Sequence, residues 1–432
     1  MQLRPHQNTH VYNLAQALRL HGVAKDGSEM GTGKTPSACA VARVLGAKMF
    51  VVCPKSVIPT WQRWFKLAGV YGEAYNYEHI RLGKHPACVP VTKGGKVTSF
   101  QWKLPADAMI VFDEDHHLKA PTSLNSKLLI GAVECSAPVL LVGATSFSNP
   151  LEMRALGYAL GLHNNTNWYG WCLRNGCRRG FFGGMEFRGG RKHLDNLHAA
   201  IFPAKGSRML KRDIPGFPTC NTFVESIAVT DVAHINQCYE EMARLAELDE
   251  VATSSTTVLT DMLRMRQKVE LLKVPSLVEL IEDAVEQDMS VAVFVSYKDT
   301  LKEIVLRLET QLLVSVVVGD QTVEERSREI AAFQSDKARV CVCTYAAGGA
   351  GIDLHDLTGK HPRLALLGPT DNPTLFIQAL GRVHRDGALS KSTQKILFAA
   401  DTVEERVRAN IEKKLDRIET LMASDLSPFV QP

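Results

Sequence analysis

The chain has 432 residues, 45% hydrophobic and 22% charged, with a formal net charge of +4. That length exceeds one ordinary core, so two or three domains are expected. No run approaches the roughly 18 apolar residues needed to cross a bilayer. The start, MQLRPHQNTHVYNLAQ, lacks the charged-then-apolar layout of a secretory signal. Ten cysteines stand without framework spacing, several of them in apolar runs (Cys53, Cys341, Cys343). This predicts reduced, buried thiols in an intracellular, non-membrane protein. So small a net charge leaves its distribution to matter more than its sum.

Residues 11–20 (VYNLAQALRL) have helical spacing of apolar positions, and a short strand-like run leads into SEMGTGKT, which opens into the helical PSACAVARVL. The runs KMFVVCP, MIVFDED and PVLLVGATS follow. Continuous apolar runs of this kind are typical of parallel strands buried on both faces. Residues 1–222 are therefore expected to form a first α/β lobe, with a basic, aromatic and glycine-rich insertion at 151–222. In 171–213 ten Lys/Arg face three acids. Residues 223–290 have a helical pattern and predict a connector. Strand signals return in VAVFVSY, LLVSVVVGD, RVCVCTY, RLALLGP and KILFAA, separated by helical segments. These predict a second α/β lobe over 291–432, closed by a long amphipathic helix, DTVEERVRANIEKKLDRIETLMA.

Chemistry concentrates in three strings. In SEMGTGKT, Gly31 and Gly33 let the backbone turn so that successive N–H groups face a phosphate. Lys34 would reach the β- and γ-phosphates, and the Thr35 hydroxyl would bind Mg²⁺. Ser28 stands where the common pattern GxxxxGK[ST] has its first glycine. Alone, the string could be an ordinary turn before a helix. MIVFDEDHHLKA then puts Asp113 and Glu114 just after an apolar strand. A carboxylate there can hold the same Mg²⁺, and its neighbour is suited to polarise the attacking water. In FIQALGRVHRDGA, Arg382 and Arg385 are three apart and would share a helical face. Two guanidiniums so placed suit stabilisation of a transferring γ-phosphoryl group, with ATP in a cleft between the lobes.

Together these strings resemble the superfamily 2 helicases and translocases, specifically their Swi/Snf-like branch. LRPHQ is similar to that branch's adenine-reading motif and SEMGTGKT to its phosphate loop. FVVCPKSVIPTW (Pro54, Lys55, Ser56, Trp61) is similar to its DNA-backbone segment, DEDH (Asp113 to His116) to its metal box and GAT (Gly143, Ala144, Thr145) to its coupling motif. VFVSY (Phe294, Ser296, Tyr297), TYAAGGAGIDL (Thr344, Gly348, Gly349, Gly351, Asp353) and QALGRVHRDG (Gln378, Gly381, Arg382, His384, Arg385) resemble its second-lobe motifs. WCLRNGCRRGFFGGMEFRGGRKHLDNLH looks like the middle segment of fork-remodelling annealing helicases.

The resemblance implies two RecA-like parallel-sheet lobes of the phosphate-loop NTPase fold, with ATP and Mg²⁺ between them and DNA across both. Met30, Gly31, Thr32, Gly33, Lys34 and Thr35 would hold the nucleotide, with Gln7 reading adenine and Gly351 and Asp353 contributing from the second lobe. Thr35 and Asp113 would hold the metal, Glu114 would activate water, and Arg382 and Arg385 would stabilise the transition state. His116, Thr145 and Gln378 would relay nucleotide state. Pro54, Lys55, Ser56, Ser296, Thr344, Gly348, Arg178 and Arg179 would contact nucleic acid. The implied activity is a DNA-dependent ATPase moving on duplex, forked or branched DNA, with RNA or single-strand unwinding as one alternative. A non-catalytic scaffold is another, opposed by the intact Lys34, Asp113, Glu114 and arginines. A monomer is expected, with replication or recombination proteins as partners. No accessory module is visible, which hints at a phage or viral origin.

Three departures from the family pattern stand out. Asp115 takes the place of a small residue and would add a carboxylate near the metal. Ser28 replaces an acid, and SFSNP follows GAT without the usual proline. Elsewhere, Cys172, Cys177, His193 and His198 lack the spacing of a zinc finger. The basic stretch with Trp168, Trp171, Phe181, Phe182 and Phe187 is either a DNA-contacting surface or a small local core with only its charges outward.

Overall fold

The structure, a computed structural model, describes residues 3–135, 137–144, 146–180, 184–251, 256–349, 351–370 and 372–404. The chain folds as two units, one ending at Pro215 and the other starting at Gly216.

The strands of the first unit are β1 (Val23–Asp26), β2 (Lys48–Cys53), β3 (Gly72–Asn76), β4 (Cys88–Lys93), β5 (Lys96–Trp102), β6 (Ala108–Asp113), β7 (Val139–Val142), β8 (Cys177–Arg179), β9 (Met185–Phe187) and β10 (Gly206–Ser207). Six of them form a parallel sheet in the order β10-β1-β7-β6-β2-β3. The continuous apolar runs follow from burial on both faces. Phe50, Val52, Ile110 and Phe112 pack on Leu128, Leu129 and Leu156. The alternate residues Met49, Val51, Met109 and Val111 face a second core. That core is supplied by helices α1 (Pro5–His21), α2 (Lys34–Leu45) and α3 (Ile58–Ala68), through Leu14, Leu18, Val41, Trp61 and Phe65. Pro5 starts α1, where its missing N–H costs nothing, and Gly22 ends it at φ 70°. Because the strands are parallel, the loops leaving β1, β7 and β6 emerge at one edge, the usual ligand edge of such sheets.

The second unit holds β11 (Cys220–Ile227), β12 (Ser290–Val295), β13 (Val314–Val317), β14 (Val340–Thr344), β15 (Arg363–Leu367) and β16 (Ser392–Ala399), parallel in the order β11-β16-β15-β12-β14-β13. Val291, Val293, Val340, Val342, Leu364 and Leu366 pack on Leu277, Ile281, Leu301 and Ile304 from flanking helices. Both sheets, and so the two-lobed parallel α/β class, agree with the sequence.

The boundaries differ. The first unit ends at Pro215, not at residue 222, because β11 pairs along its length with β16, Thr222 opposite Gln394. Nor is 223–290 simply a connector. Helix Val274–Glu286 places Leu277, Val278 and Ile281 on the second sheet, while helices Val232–Val251 and Thr256–Leu272 pair beside it. The closing helix predicted after Glu404 lies outside the described residues, as do Thr145, Phe181 and Phe182.

Candidate active site

The phosphate loop spans the turn from β1 to α2. Gly31 and Gly33 have φ 80° and 89°, the left-handed region that glycine adopts without cost. A Cβ on Gly33 would come 2.4 Å from the amide nitrogen of Gln7, so the side chain of Gln7 lies against the loop. The Gln7 carbonyl oxygen accepts the Arg4 N–H at 3.0 Å, which fixes that amide. The Lys34 ammonium donates to the carbonyls of Ser28 (3.1 Å) and Glu29 (3.0 Å), and Thr32 donates to Glu29 (2.8 Å). Burial pushes the Lys34 pKa down, against the charges of Asp26, Glu114 and Asp113, so the loop cation and the β6 carboxylates feel one another. Met30 is buried, and the Thr35 hydroxyl at the start of α2 has no partner among the described residues.

The Asp113 carboxylate at the end of β6 accepts the Trp61 indole N–H at 2.8 Å and the Glu114 N–H at 3.0 Å. The Tyr77 hydroxyl donates to its backbone carbonyl at 2.9 Å. Burial and the adjacent Glu114 charge raise the Asp113 carboxyl to about 7, against the opposing Trp61 bond and Lys34. Glu114 sits at φ 53°, a conformation costly for a side chain of its size, and its carboxylate lies 3.4 Å from Nδ1 of His116. The adjacent carboxylates of Asp113 and Glu114 and the Thr35 hydroxyl are hard-oxygen donors of the kind Mg²⁺ takes.

In the second unit Arg382 lies on helix Pro373–Val383 and Arg385 falls beyond its end. The expected shared helical face is therefore not formed. The two guanidiniums converge instead on one carbonyl: Arg382 donates to Ile352 (3.0 Å) and Gly349 (2.5 Å), and Arg385 to Ile352 (3.2 Å). Arg385 also pairs with Asp353 at 2.7 Å. Arg382 is buried, whereas Arg385 is partly exposed. Gln378 is buried with its carbonyl oxygen near Gly349, and Gly351 turns at φ 68°.

A model of the helicase conserved C-terminal domain matches residues 272–387. A protein of Acanthamoeba polyphaga mimivirus, named "Putative ATP-dependent RNA helicase L364", is 32% identical over 98% of this chain and 84% of its own length. The mouse DNA annealing helicase and endonuclease ZRANB3 is 23% identical over 92% of the chain. The bovine SWI/SNF-related matrix-associated actin-dependent regulator of chromatin subfamily A-like protein 1 is 24% identical over 90%. The chain spans only 39% and 42% of those last two. The chain is a superfamily 2 helicase of the Swi/Snf-like branch. Yeast Dbp5 bound to RNA and ADP BeF3 shares the fold, at 13% identity over 99% of this chain and 98% of its own, with a TM-score of 0.52.

The helicase departs from expectation at several residues. Asp115 does not face the metal box. It is fully buried, pairs with Lys25 of β1 at 3.0 Å and accepts the Ser146 hydroxyl at 2.5 Å. Lys25, also buried, spends its remaining donors on the carbonyls of Gly143 (2.6 Å) and Asp26 (2.9 Å). A Cβ on residue 143 would stand 2.1 Å from Oδ1 of Asp115. The helicase therefore carries GAT, with glycine at 143, because Asp115 fills the space.

Next to this pair, Asp26 faces His10 at 3.2 Å and accepts the Ser28 N–H at 2.9 Å. Burial alone would raise its carboxyl, but His10, Lys34 and Ser28 together hold it at about 2. The Ser28 hydroxyl accepts the Met209 N–H at 3.0 Å, and Glu29 accepts the Lys211 N–H at 2.5 Å, so residues 207–211 brace the loop. Sequence reasoning passed over Lys25, Asp26 and His10; a lysine inside a four-residue core strand was the available signal.

Among the expected nucleic-acid contacts, Lys55, Ser296, Arg178 and Arg179 are exposed, while Pro54 and Ser56 are half-buried. Thr344 and Gly348 are buried, Gly348 against Phe294 and Cys343, so they shape the β14 turn rather than its surface. In the 151–222 stretch Trp171, Cys172 and Cys177 lie in the core with Trp168 and Phe187 packed on it, so these three aromatics serve packing. His198 meets Arg208 at 2.6 Å, and His193 packs on Gly176.

Proposed function

We propose that this helicase hydrolyses ATP with Mg²⁺ and couples turnover to movement on nucleic acid, with duplex or branched DNA as its track. The observation that carries the ATPase reading is that Lys34, at the start of α2, and the Asp113–Glu114 pair, at the end of β6, lie close enough for their charges to shift the ionisation of Lys34 and Asp113. Lys34 would exchange its bonds to Ser28 and Glu29 for phosphate oxygens, and the loop N–H groups would cradle the phosphates. Thr35 and Asp113 would hold Mg²⁺, which when bound neutralises charge on the phosphates. Trp61 and Tyr77 fix the Asp113 end of the site. Glu114, beside His116, would take the proton of the attacking water.

Gln7 would read adenine, a role supported by the packing of its amide against the loop. Arg385 would stabilise the transition state, while Arg382 would hold the carbonyls of Gly349 and Ile352. His116, Gln378 and Thr145 would report nucleotide state. Lys55, Ser296, Arg178 and Arg179 would meet phosphates.

The DNA reading, including branch migration, fork remodelling and strand annealing, is supported by the likeness to an annealing helicase over most of this chain. A second reading, RNA, is favoured by the name of the mimivirus relative, which matches nearly all of this chain. Steady-state ATP hydrolysis with single-stranded DNA, duplex DNA, forked DNA or RNA separates them. Strongest stimulation by duplex or forked DNA is expected; strongest stimulation by RNA would replace the DNA reading with the second.

A further inference from the structure

We infer that the β4–β5 hairpin is an arm that grips the phosphate backbone of nucleic acid. From Arg81 to Ala106 the chain carries Arg81, Lys84, Lys93, Lys96 and Lys103 and no Asp or Glu, a local charge above the +4 of the whole chain. Lys84, Lys93, Lys96 and Lys103 are exposed and have no acidic partner among the described residues. Lys93 and Lys96 are directly opposite one another, closing the ladder at the turn. Like charges at facing positions destabilise a hairpin, and a polyanion laid across them removes that cost.

The tip is Gly94–Gly95, at φ 57° and 74°, with nothing within 4 Å of where either Cβ would be. A large ligand can therefore approach both lysines. The base, by contrast, is held firmly. Cys88, Phe100 and Trp102 are in the core of the first unit. The Trp102 indole donates to the Leu128 carbonyl at 3.0 Å, and Lys127 donates to the Val97 carbonyl at 2.7 Å. A Cβ on Gly131 would stand 2.1 Å from the Phe100 carbonyl, so β5 lies hard against helix Leu124–Val133. That helix is tied to the metal-box segment through Ser126, which donates to the Leu118 carbonyl at 2.6 Å.

A cationic tip on a fixed base, with no aromatic residue at the tip, suits contact with phosphates rather than bases, and hence binding without sequence preference. DNA and RNA share that backbone, and the test separates them.

The inference rests on the nucleic-acid reading above, and its test keeps the two apart. Full-length wild type, Lys93→Gln/Lys96→Gln and the charge-matched control Lys302→Gln/Lys337→Gln are titrated with a fluorescent 25-mer duplex DNA and a duplex RNA across a KCl series. Losing two phosphate contacts lowers the slope of log K against log salt by about 1.8 on duplex DNA. The hairpin variant is expected to show that drop on at least one polymer, the control to keep the wild-type slope, and the unfolding midpoint to stay the same or rise. A drop confined to DNA or RNA identifies the track. Wild-type binding with equal slopes in all three proteins overturns the arm and leaves the nucleic-acid reading standing. Failure of the wild type to bind either polymer overturns both.

Discussion

Gly143→Ala is expected to be among the most damaging single-methyl additions in the first unit, and the damage to vanish when Asp115 is removed. The backbone at 143 lies outside the left-handed region, so alanine is not excluded by φ. The obstacle is the Asp115 carboxylate, with Oδ1 2.1 Å and Cγ 3.0 Å from the new methyl. It has nowhere to go, because Lys25 holds it at 3.0 Å and the Ser146 hydroxyl at 2.5 Å, both buried. Overpacking costs about 1–3 kcal/mol, and pushing the carboxylate off Lys25 adds part of the roughly 3–5 kcal/mol for breaking a buried pair. Gly143→Ala should therefore cost about 3 kcal/mol.

Asp115→Ala alone should cost a similar roughly 3–5 kcal/mol by stranding the Lys25 ammonium. The double variant should cost no more than Asp115→Ala, a coupling of about 3 kcal/mol, and Lys25→Met on top should recover much of the loss. Urea denaturation followed by circular dichroism reads each corner. Additivity within about 0.5 kcal/mol would refute the reasoning, since independent sites add to that accuracy.

Asp26 makes stability depend on acid. Its folded carboxyl is held at about 2, below the ordinary 3.8, so its contribution is present above 3.8 and lost as pH falls through 2. That contribution is about 2 kcal/mol, and Asp26→Asn should flatten urea-measured stability over that window. Gly33→Ala, strained at φ 89° and 2.4 Å from the Gln7 amide, should abolish binding of a fluorescent ATP analogue. Gln7→Ala should raise KM for ATP while leaving that for GTP nearly unchanged. Arg385→Ala should lower kcat by about 10³-fold, the scale of an arginine acting on a transferring phosphoryl group, with little change in KM.

The sequence was most legible where burial is two-sided. Runs such as MFVVC and IVF read as core strands because both faces need apolar residues, and the phosphate loop read directly because its glycines serve backbone geometry. Half-exposed strands were not legible. CNTFVESI is an edge strand with mixed burial, and CVPVTK with KVTSFQW forms a hairpin with one face outward, so neither gives a continuous apolar signal. Hence the lobe boundary shifted and the hairpin went unseen. Lys25 and Asp115 each looked out of place alone; only the fold, which puts β1 and the turn after β6 on either side of Gly143, shows that each explains the other. The paired arginines were legible as chemistry but not as geometry, because the helix ends at Val383.

The central claim, that Lys34, Asp113 and Glu114 form an ATP-hydrolysing centre driven by nucleic acid, is tested most directly by turnover in wild type and Glu114→Gln with saturating duplex DNA or RNA. The account predicts stimulated hydrolysis by the wild type and a loss of about 10²–10⁴-fold in Glu114→Gln, with nucleotide and nucleic-acid binding retained. Unimpaired turnover in Glu114→Gln, or none in the wild type, would contradict it.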